Sequence, residues 1–366
     1  MYFKVINDHC KLKILKREGG VQMGYQIKMN EFDKIVQELS KDYRVYAPKC
    51  FPKQGRYSDT DVIRYDKIQS ANDIVFDKKS TYAAKEVYHP LTETVLYFTD
   101  GDYKEKKVVD DRPIIIFGRS CDINAIKRFD DIYLKNGYED YYFKRVREKV
   151  KFVLMECPSK GWDTCFCVSM GSNETDNYIF GIKVEGEDVS IEIKEQNFDK
   201  YFVGQQPLDY KVAFVKENDR VVKIPDIPNR EIKNKIKTLD MWKEFDTRCL
   251  MCGSCTVACS TCTCFTTYDV NYTPDTDAGE RRRINASCHV DGFTDLAGGF
   301  SFRKKGGERM RFKVMHKVHD HKARFKEYEM CVGCGRCDDR CPVFISFSTT
   351  VNRLAQEVEK LKKGEE

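Results

Sequence analysis

Long apolar runs are absent from this 366-residue sequence. The longest strongly apolar segment, 113–118, has the length of a strand, whereas a membrane helix needs about 18 such residues. Charges are scattered through residues 1–18, where a secretory signal peptide would carry an apolar stretch. We therefore expect a cytoplasmic protein that does not enter the membrane.

The sequence also has little net charge and no nucleotide-binding motif. Lys and Arg outnumber Asp and Glu by only 63 to 58, a surplus too small to indicate nucleic acid or an acidic membrane surface as a partner. No G-x-G-x-x-G follows a predicted strand and no Walker A sequence is present, so we expect no flavin or nucleotide site in this chain. No acid–base constellation is recognisable either, and we predict no catalytic residue.

Cysteine, by contrast, is abundant. The chain contains 17 cysteines, an odd number that cannot pair completely within one chain. In a large chain without an export signal, such a content is typical of metal or redox sites and not of a disulfide framework.

Strands alternate with helices in the first two thirds of the chain. Residues 113–117 are predicted to form a buried strand followed by a helix that begins near Cys121, and residues 151–155 a second strand followed directly by Cys157. This alternation predicts an α/β domain with a parallel or mixed sheet, whose ligand sites lie beyond the carboxyl ends of the strands. We place the domain at 23–238, after a loose extension at 1–22 and with the polar segment 216–238 as a linker.

Two cysteine runs in the last third carry the strongest signal. They are Cys249-x2-Cys252-x2-Cys255-x3-Cys259 and Cys331-x2-Cys334-x2-Cys337-x3-Cys341-Pro342. Both match the bacterial two-cluster ferredoxin pattern, in which the fourth cysteine of each run binds the other cluster. The pattern predicts one [4Fe–4S] cluster on Cys249, Cys252, Cys255 and Cys341. It predicts a second on Cys331, Cys334, Cys337 and Cys259.

The exchanged fourth ligand has a geometric reason. A tight loop with two-residue gaps can wrap three corners of a cubane, and a distant cysteine must supply the fourth. Residues 239–366 are therefore predicted to form an α+β, two-cluster ferredoxin-like domain with an insert at 265–330. Ser260 stands where the motif normally has proline, which removes no ligand. Structural zinc is the alternative, but zinc sites usually use two C-x2-C pairs that lie far apart.

Other cysteines leave alternatives open. A third cluster could be held by four cysteines of the N-terminal domain: Cys121, Cys157, Cys165 and Cys167. Buried thiols with a redox-active Cys165–Cys167 pair explain these residues equally well, since dispersed ligands have no diagnostic spacing. Alternate cluster ligands could be Cys262 and Cys264, whereas ordinary thiols are predicted at Cys10, Cys50 and Cys288.

The insert between the two runs is basic. Residues 303–326 contain ten Lys or Arg against Glu308 and Asp320. A solvated helix face is one interpretation of such a run; charges that offset anionic clusters or dock an acidic partner are another. Nucleic-acid binding is less favoured because stacking aromatics are few. Core or surface roles are expected for the histidines His316, His319 and His321.

Several longer segments are specific beyond the ferredoxin motif. They are YSDTDVIRYD (57–66), RSCDINAIKR (119–128), CFCVSMG (165–171), STCTCF (260–265), SCHVDGFTDLAGGFSFRKKGGERMRFKVMHKV (287–318) and CVGCGRCDDRCP (331–342). With these segments the sequence resembles the family of iron–sulfur electron-transfer subunits of anaerobic sulfite reductase, from about residue 23 to the end. Electron-transfer β subunits of sulfhydrogenase-type nickel–iron hydrogenases share the cysteine plan more loosely.

The resemblance implies a non-catalytic electron-transfer subunit of an oxidoreductase complex. A flavin subunit would oxidise NADH, this chain would relay the electrons, and a sirohaem subunit would reduce sulfite. The resemblance also favours a third [4Fe–4S] cluster on Cys121, Cys157, Cys165 and Cys167. The alternative is the β subunit of a nickel–iron sulfhydrogenase-type complex, and a zinc-stabilised nucleic-acid-binding protein is a remote third hypothesis.

Overall fold

The computed structural model describes residues 24–364, so the predicted N-terminal extension at 1–22 and Cys10 lie outside the described residues. The strands are β1 Gly24–Lys28, β2 Arg44–Phe51, β3 Val62–Lys67, β4 Thr92–Thr99, β5 Asp102–Glu105, β6 Ile114–Gly118, β7 Val150–Met155, β8 Phe180–Glu185, β9 Asp188–Ile193, β10 Gln206–Leu208, β11 Phe265–Asn271 and β12 Gly279–Asn285. The α-helices are α1 Met29–Asp42, α2 Lys85–Tyr88, α3 Ser120–Tyr133, α4 Tyr141–Arg147, α5 Arg230–Lys235, α6 Glu244–Arg248, α7 Ser254–Val257, α8 Gly306–Met315, α9 His321–Phe325, α10 Arg336–Arg340 and α11 Phe347–Lys363. A π-helical turn, His316–Asp320, joins α8 to α9.

The described residues form an eight-stranded mixed sheet and a four-stranded antiparallel sheet. Strand order in the larger sheet is β10-β1-β9-β8-β7-β6-β2-β3, with β2, β6, β7 and β8 parallel to one another. The predicted strands at 113–117 and 151–155 correspond to β6 and β7, which lie side by side with Ile114 opposite Val150. Their carboxyl ends therefore meet at one edge of the sheet, immediately before Cys121 and Cys157.

Both faces of the large sheet are covered by helices. Successive side chains of a strand point to opposite faces, so alternate residues of β6 pack in two different core clusters. Ile115 and Phe117 pack with α1 in one core cluster. Ile114 and Ile116 pack with α3 in another. Burying side chains of this size stabilises the fold by roughly 1.5–3 kcal/mol each. The central strands are continuously apolar for this reason, as expected for parallel strands buried on both faces.

The smaller sheet joins the insert to the N-terminal part of the chain. Strand β12 of the insert pairs with β11 and with β4, and β4 pairs with β5. The segment 216–238, predicted as a linker, is packed: Val222, Ile232 and Ile236 are buried in a cluster with α8 and α11. The ferredoxin-like layout of residues 239–366 and the domain boundary at 238 stay predictions.

The basic part of the insert forms α8, the π-turn and α9. Helix α8 begins at two glycines that allow close backbone approach, since a Cβ on Gly306 or Gly307 would lie 2.3 Å from the carbonyl oxygen of Phe245 or Trp242, respectively. The interpretation of this run as a solvated face is wrong for Arg309, Lys313 and Lys317, which are buried. None of the helices within residues 24–364 combines the length and apolar character required of a membrane span.

Candidate functional site

Site 1 is a cavity that brings together the four cysteines predicted for the first cluster. Two of them lie on the loop between α6 and α7, one lies in α7, and one follows α10: Cys249, Cys252, Cys255 and Cys341. Gly253, with φ of +75°, makes the turn into α7. The apolar side chains of Met310, Ile345 and Phe347 complete the lining. Four thiols in an apolar setting fit a [4Fe–4S] cluster, and the ligand assignment stays a prediction.

The buried Lys313 of α8 lies between site 1 and the second run. Its ammonium hydrogen-bonds Cys255, and its charge also acts on Cys337. Burial lowers the pKa of Lys313, but these thiolates outweigh burial and hold the pKa well above the usual range. On the other side of the site, His289 Nδ1 lies 3.9 Å from Cys249 Sγ. Burial lowers the pKa of His289 to about 3, so this ring is neutral at pH 7.

Site 2 consists of the cysteines predicted for the second cluster: Cys259, Cys331, Cys334 and Cys337. The charges of Cys259 and Cys334 act on both Cys331 and Cys337, which places the four thiols together. The backbone N–H of Gly333 donates to Cys331 Sγ over 3.3 Å. Burial raises the pKa of Cys331 to about 12, so its thiolate needs nearby positive charge.

Lys317 supplies positive charge at site 2. It is buried, and its ammonium donates to the carbonyl oxygen and the hydroxyl of Thr261 over 2.9 and 2.8 Å. Burial lowers the pKa of Lys317, but Cys259, Cys262 and neighbouring thiolates raise it above the usual range. Of the interpretations of the basic run, charge compensation of anionic sites fits these buried lysines.

Three of the remaining cysteines crowd the same region. Cys262 is buried and hydrogen-bonds Cys259, so it stays a candidate alternate ligand at site 2. Cys264 accepts a hydrogen bond from the backbone N–H of Cys288, a buried residue for which the sequence shows no partner. Cys50 lies apart, with its Sγ 3.6 Å from Asp61 Oδ2.

Site 3 is a second cavity, lined by all four dispersed cysteines of the N-terminal domain: Cys121, Cys157, Cys165 and Cys167. Cys121 lies in the first turn of α3 after β6, and Cys157 follows β7. Burial raises the pKa of Cys157 to about 12 and that of Cys167 to about 11. The positive side chains of Lys79, Arg119 and Arg336 also line the cavity. The structure thus brings the four cysteines to one cavity, and the third cluster stays a prediction.

Sites 2 and 3 share a wall. Cys334 of site 2 also lines the site 3 cavity, and its carbonyl oxygen lies 3.7 Å from Cys165 Sγ. Gly333 and Gly335 permit this approach: a Cβ on either would lie 2.5 or 2.2 Å from backbone atoms of Phe166 or Thr164, respectively. Both glycines also have positive φ. The loop of one site is thus packed directly on the loop of the other.

A buried polar network crosses this wall. Arg336 forms an ion pair with Asp122, 2.9 Å apart, and donates to the Ser260 hydroxyl over 2.9 Å. Ser260 in turn donates to Cys334 Sγ over 3.3 Å. Asp122 directly follows Cys121, so the network runs from a site 3 cysteine to a site 2 sulfur. Sequence reasoning missed Arg336 and Asp122, which act through residues distant in the chain. It offered charge compensation for the basic run as a whole but did not distinguish Lys313 and Lys317 within it.

The contact of Ser260 gives a prediction. Ser260→Ala removes a hydrogen bond to Cys334, a predicted cluster ligand, and such bonds raise cluster reduction potentials. We expect a lower midpoint potential for one cluster with iron content unchanged, measured by redox titration with EPR detection. Ser254→Ala is the matched control, because its hydroxyl lies 3.4 Å from Cys252 Sγ of site 1. The same cluster shifting in both variants would contradict the assignment of Ser260 to site 2.

No group of three or more His, Cys, Asp or Glu side chains in residues 24–364 is arranged to hold a single metal ion. Two histidines of the basic run pack against other side chains: His321 Nε2 lies 3.4 Å from Asp131 in a buried contact that the sequence did not indicate, and His316 stacks on Phe312.

Comparison with known proteins gives two matches. Residues 248–345 match the 4Fe-4S dicluster domain family. The chain is 27% identical over 353 residues to sulfhydrogenase 2 subunit beta of Pyrococcus furiosus, covering 89% of this chain and 96% of that protein. No solved structure matches the chain significantly. The matched domain contains all the cysteines of both runs, which supports [4Fe–4S] clusters as the cofactors of this part of the chain.

Proposed function

We propose that this chain is the iron–sulfur electron-transfer subunit of a sulfhydrogenase-type oxidoreductase complex. The observation that carries the proposal is the convergence of three sets of four cysteines on three adjacent sites. Similarity to a sulfhydrogenase β subunit over most of both chains supports the type of complex.

The three sites form a series. Lys313 interacts with Cys255 of site 1 and Cys337 of site 2, so these two sites are neighbours. Cys334 belongs to site 2 and lines site 3. When bound, [4Fe–4S] clusters supply one-electron carriers at each position. The protein contributes thiol ligands, buried cations that offset negative charge, and apolar walls that limit water.

Anaerobic sulfite reductase is the second candidate. It is favoured by the segments at 119–128, 165–171 and 287–318, and it would pair this chain with a flavin subunit, which oxidises NADH, and with a sirohaem subunit. The similarity to sulfhydrogenase 2 subunit beta favours the sulfhydrogenase-type complex over this second candidate. The catalytic subunit that co-purifies with the chain distinguishes the two complexes. A sulfhydrogenase-type complex would contain nickel, whereas a sulfite reductase would contain sirohaem, which is detected by its visible absorption.

Counting iron and labile sulfide after anaerobic purification tests the cofactor content. We expect three cubanes per chain, with Cys121→Ser and Cys167→Ser each losing the iron of one cluster because each removes a thiolate from site 3. Cys50→Ser, a half-buried thiol outside the three sites, is the matched control and should retain all iron.

Two outcomes would contradict the proposal. Iron matching two cubanes in the wild type, unchanged in both site 3 variants, would remove the third cluster. Zinc in place of iron and sulfide would remove the electron-transfer function as a whole.

A further inference from the structure

Site 1 reaches the surface at one cysteine. Among the cysteines that the structure describes, Cys252 alone is exposed, whereas Cys334 of site 2 and Cys165 and Cys167 of site 3 are buried. Electron tunnelling slows steeply with distance, so a partner exchanges electrons fastest with the cluster nearest the surface. Of the three sites, site 1 is the one placed for this exchange.

Exposed apolar side chains from three separate segments lie beside the loops of site 1. Leu250 is 61% exposed and lines the site 1 cavity, and Phe344 is 78% exposed three residues after Cys341. Val290 is 40% exposed and covers Gly253, where its Cγ2 lies 2.8 Å from the position of an added Cβ. Single exposed apolar residues are normal, but a group gathered around one site is typical of an interaction surface.

The backbone is strained at the same place. Met251, directly before Cys252, has φ of +51°, and Phe344 has φ of +55°. Non-glycine residues rarely adopt this conformation, which costs of order 1–3 kcal/mol each and clusters at functional sites.

Two arginines add positive charge without ion-pair partners. Arg248 donates to the carbonyl oxygen of Phe344 over 3.3 Å, and Arg56 donates to that of Arg340 over 3.4 Å. Arg56 also lies close enough to Cys252 for its charge to act on the thiolate. Neither guanidinium contacts a carboxylate within residues 24–364. The nearby Asp291 is already paired with the buried Arg309. Two positive charges on this surface therefore have no ion-pair partner among the described residues.

We propose that the Cys252 face, defined as Leu250, Cys252, Val290, Phe344, Arg56 and Arg248, is the docking surface for a redox subunit that carries acidic residues around its own electron carrier. The proposal rests on the proposed electron-transfer function. One electron passes between the site 1 cluster and the partner's carrier without any bond being made or broken. The apolar centre would exclude water at contact, and the arginines would steer and orient the acidic partner.

Small inorganic oxidants test the charge of this face. The full chain, reduced anaerobically, is mixed with hexacyanoferrate(III), an anion, or hexaamminecobalt(III), a cation, in a stopped-flow instrument. We expect the anion to react with a rate that falls as salt is added, and the cation to show the opposite dependence. The variant with Arg56→Glu and Arg248→Glu should lose several-fold in rate with the anion and gain with the cation. Arg230→Glu, at an exposed arginine that begins α5, is the matched control and should resemble the wild type.

The assembled complex gives the second measurement. The double variant, and separately Phe344→Asp, should weaken retention of the partner redox protein and slow reduction of its carrier. Unchanged retention and rate, or an equal effect of Arg230→Glu, would overturn the docking surface. A change in self-association of the isolated chain instead would show that the face binds a second copy, which also overturns it. Iron content and EPR spectra are recorded for every variant. Absence of clusters would contradict the proposed function, whereas intact clusters with unaltered docking would contradict only the docking surface.

Discussion

Arg336→Met is expected to cause the largest loss of stability among single substitutions at these sites. Arg336 is 1% exposed and pairs with Asp122 at 2.9 Å, so the variant leaves a buried carboxylate without its cation. Breaking a buried ion pair from one side costs about 3–5 kcal/mol. We expect the apparent Tm to fall and clusters to be lost earlier on heating, followed by visible absorbance in anaerobic thermal melts.

A control variant distinguishes the effect of breaking the ion pair on stability from the effect of losing side-chain volume. Arg340→Met changes the next arginine of α10, which contacts the Tyr82 hydroxyl over 3.2 Å and no carboxylate among the described residues, and a small effect is expected. Adding Asp122→Asn to Arg336→Met removes the stranded charge and should recover part of the loss. An effect of Arg340→Met equal to that of Arg336→Met, or no recovery in the double variant, would contradict the ion pair as the cause.

Lys317→Met is expected to have the largest effect on redox behaviour. The substitution removes a buried positive charge that acts on Cys259 and Cys331 of site 2 and on the adjacent Cys262. Positive charge stabilises the more negative, reduced state of a cluster, so its loss lowers the reduction potential. We expect the midpoint potential of the site 2 cluster to fall and some iron to be lost, measured by redox titration with EPR and by iron analysis.

Lys322→Met is the matched control for the buried lysine. Lys322 lies on α9 of the same basic run, but its side chain is 53% exposed and faces Glu329 at 3.7 Å. Solvent screens such a charge, and exposed ion pairs contribute only about 0–1 kcal/mol. Equal shifts in the two variants would show that the general charge of the run matters and that burial at site 2 does not.

The burial of Lys313 and Lys317 could not be predicted from the local sequence. A run of ten cations predicts a solvated face by base rate, and Lys322 fits that expectation. Lys313 and Lys317, separated by one helical turn, are buried because the helix lies across the cysteine loops. Nothing in the spacing of the run distinguishes the two groups. The identity of the facing surface decides which cations are solvated.

The sequence by itself determined what depends on neighbours in the chain. Short cysteine gaps specify loops that can wrap a cubane, and alternating apolar strands and helices specify the elements that place Cys121 and Cys157 at one sheet edge. Only the tertiary structure decided that Cys165 and Cys167 join them, that Cys334 lies between two sites, and that Ser260 and Arg336 connect those sites. It also decided that Cys252 is exposed. The physical reason is that packing between segments far apart in the chain sets burial, charge compensation and surface exposure, and no local pattern records these contacts.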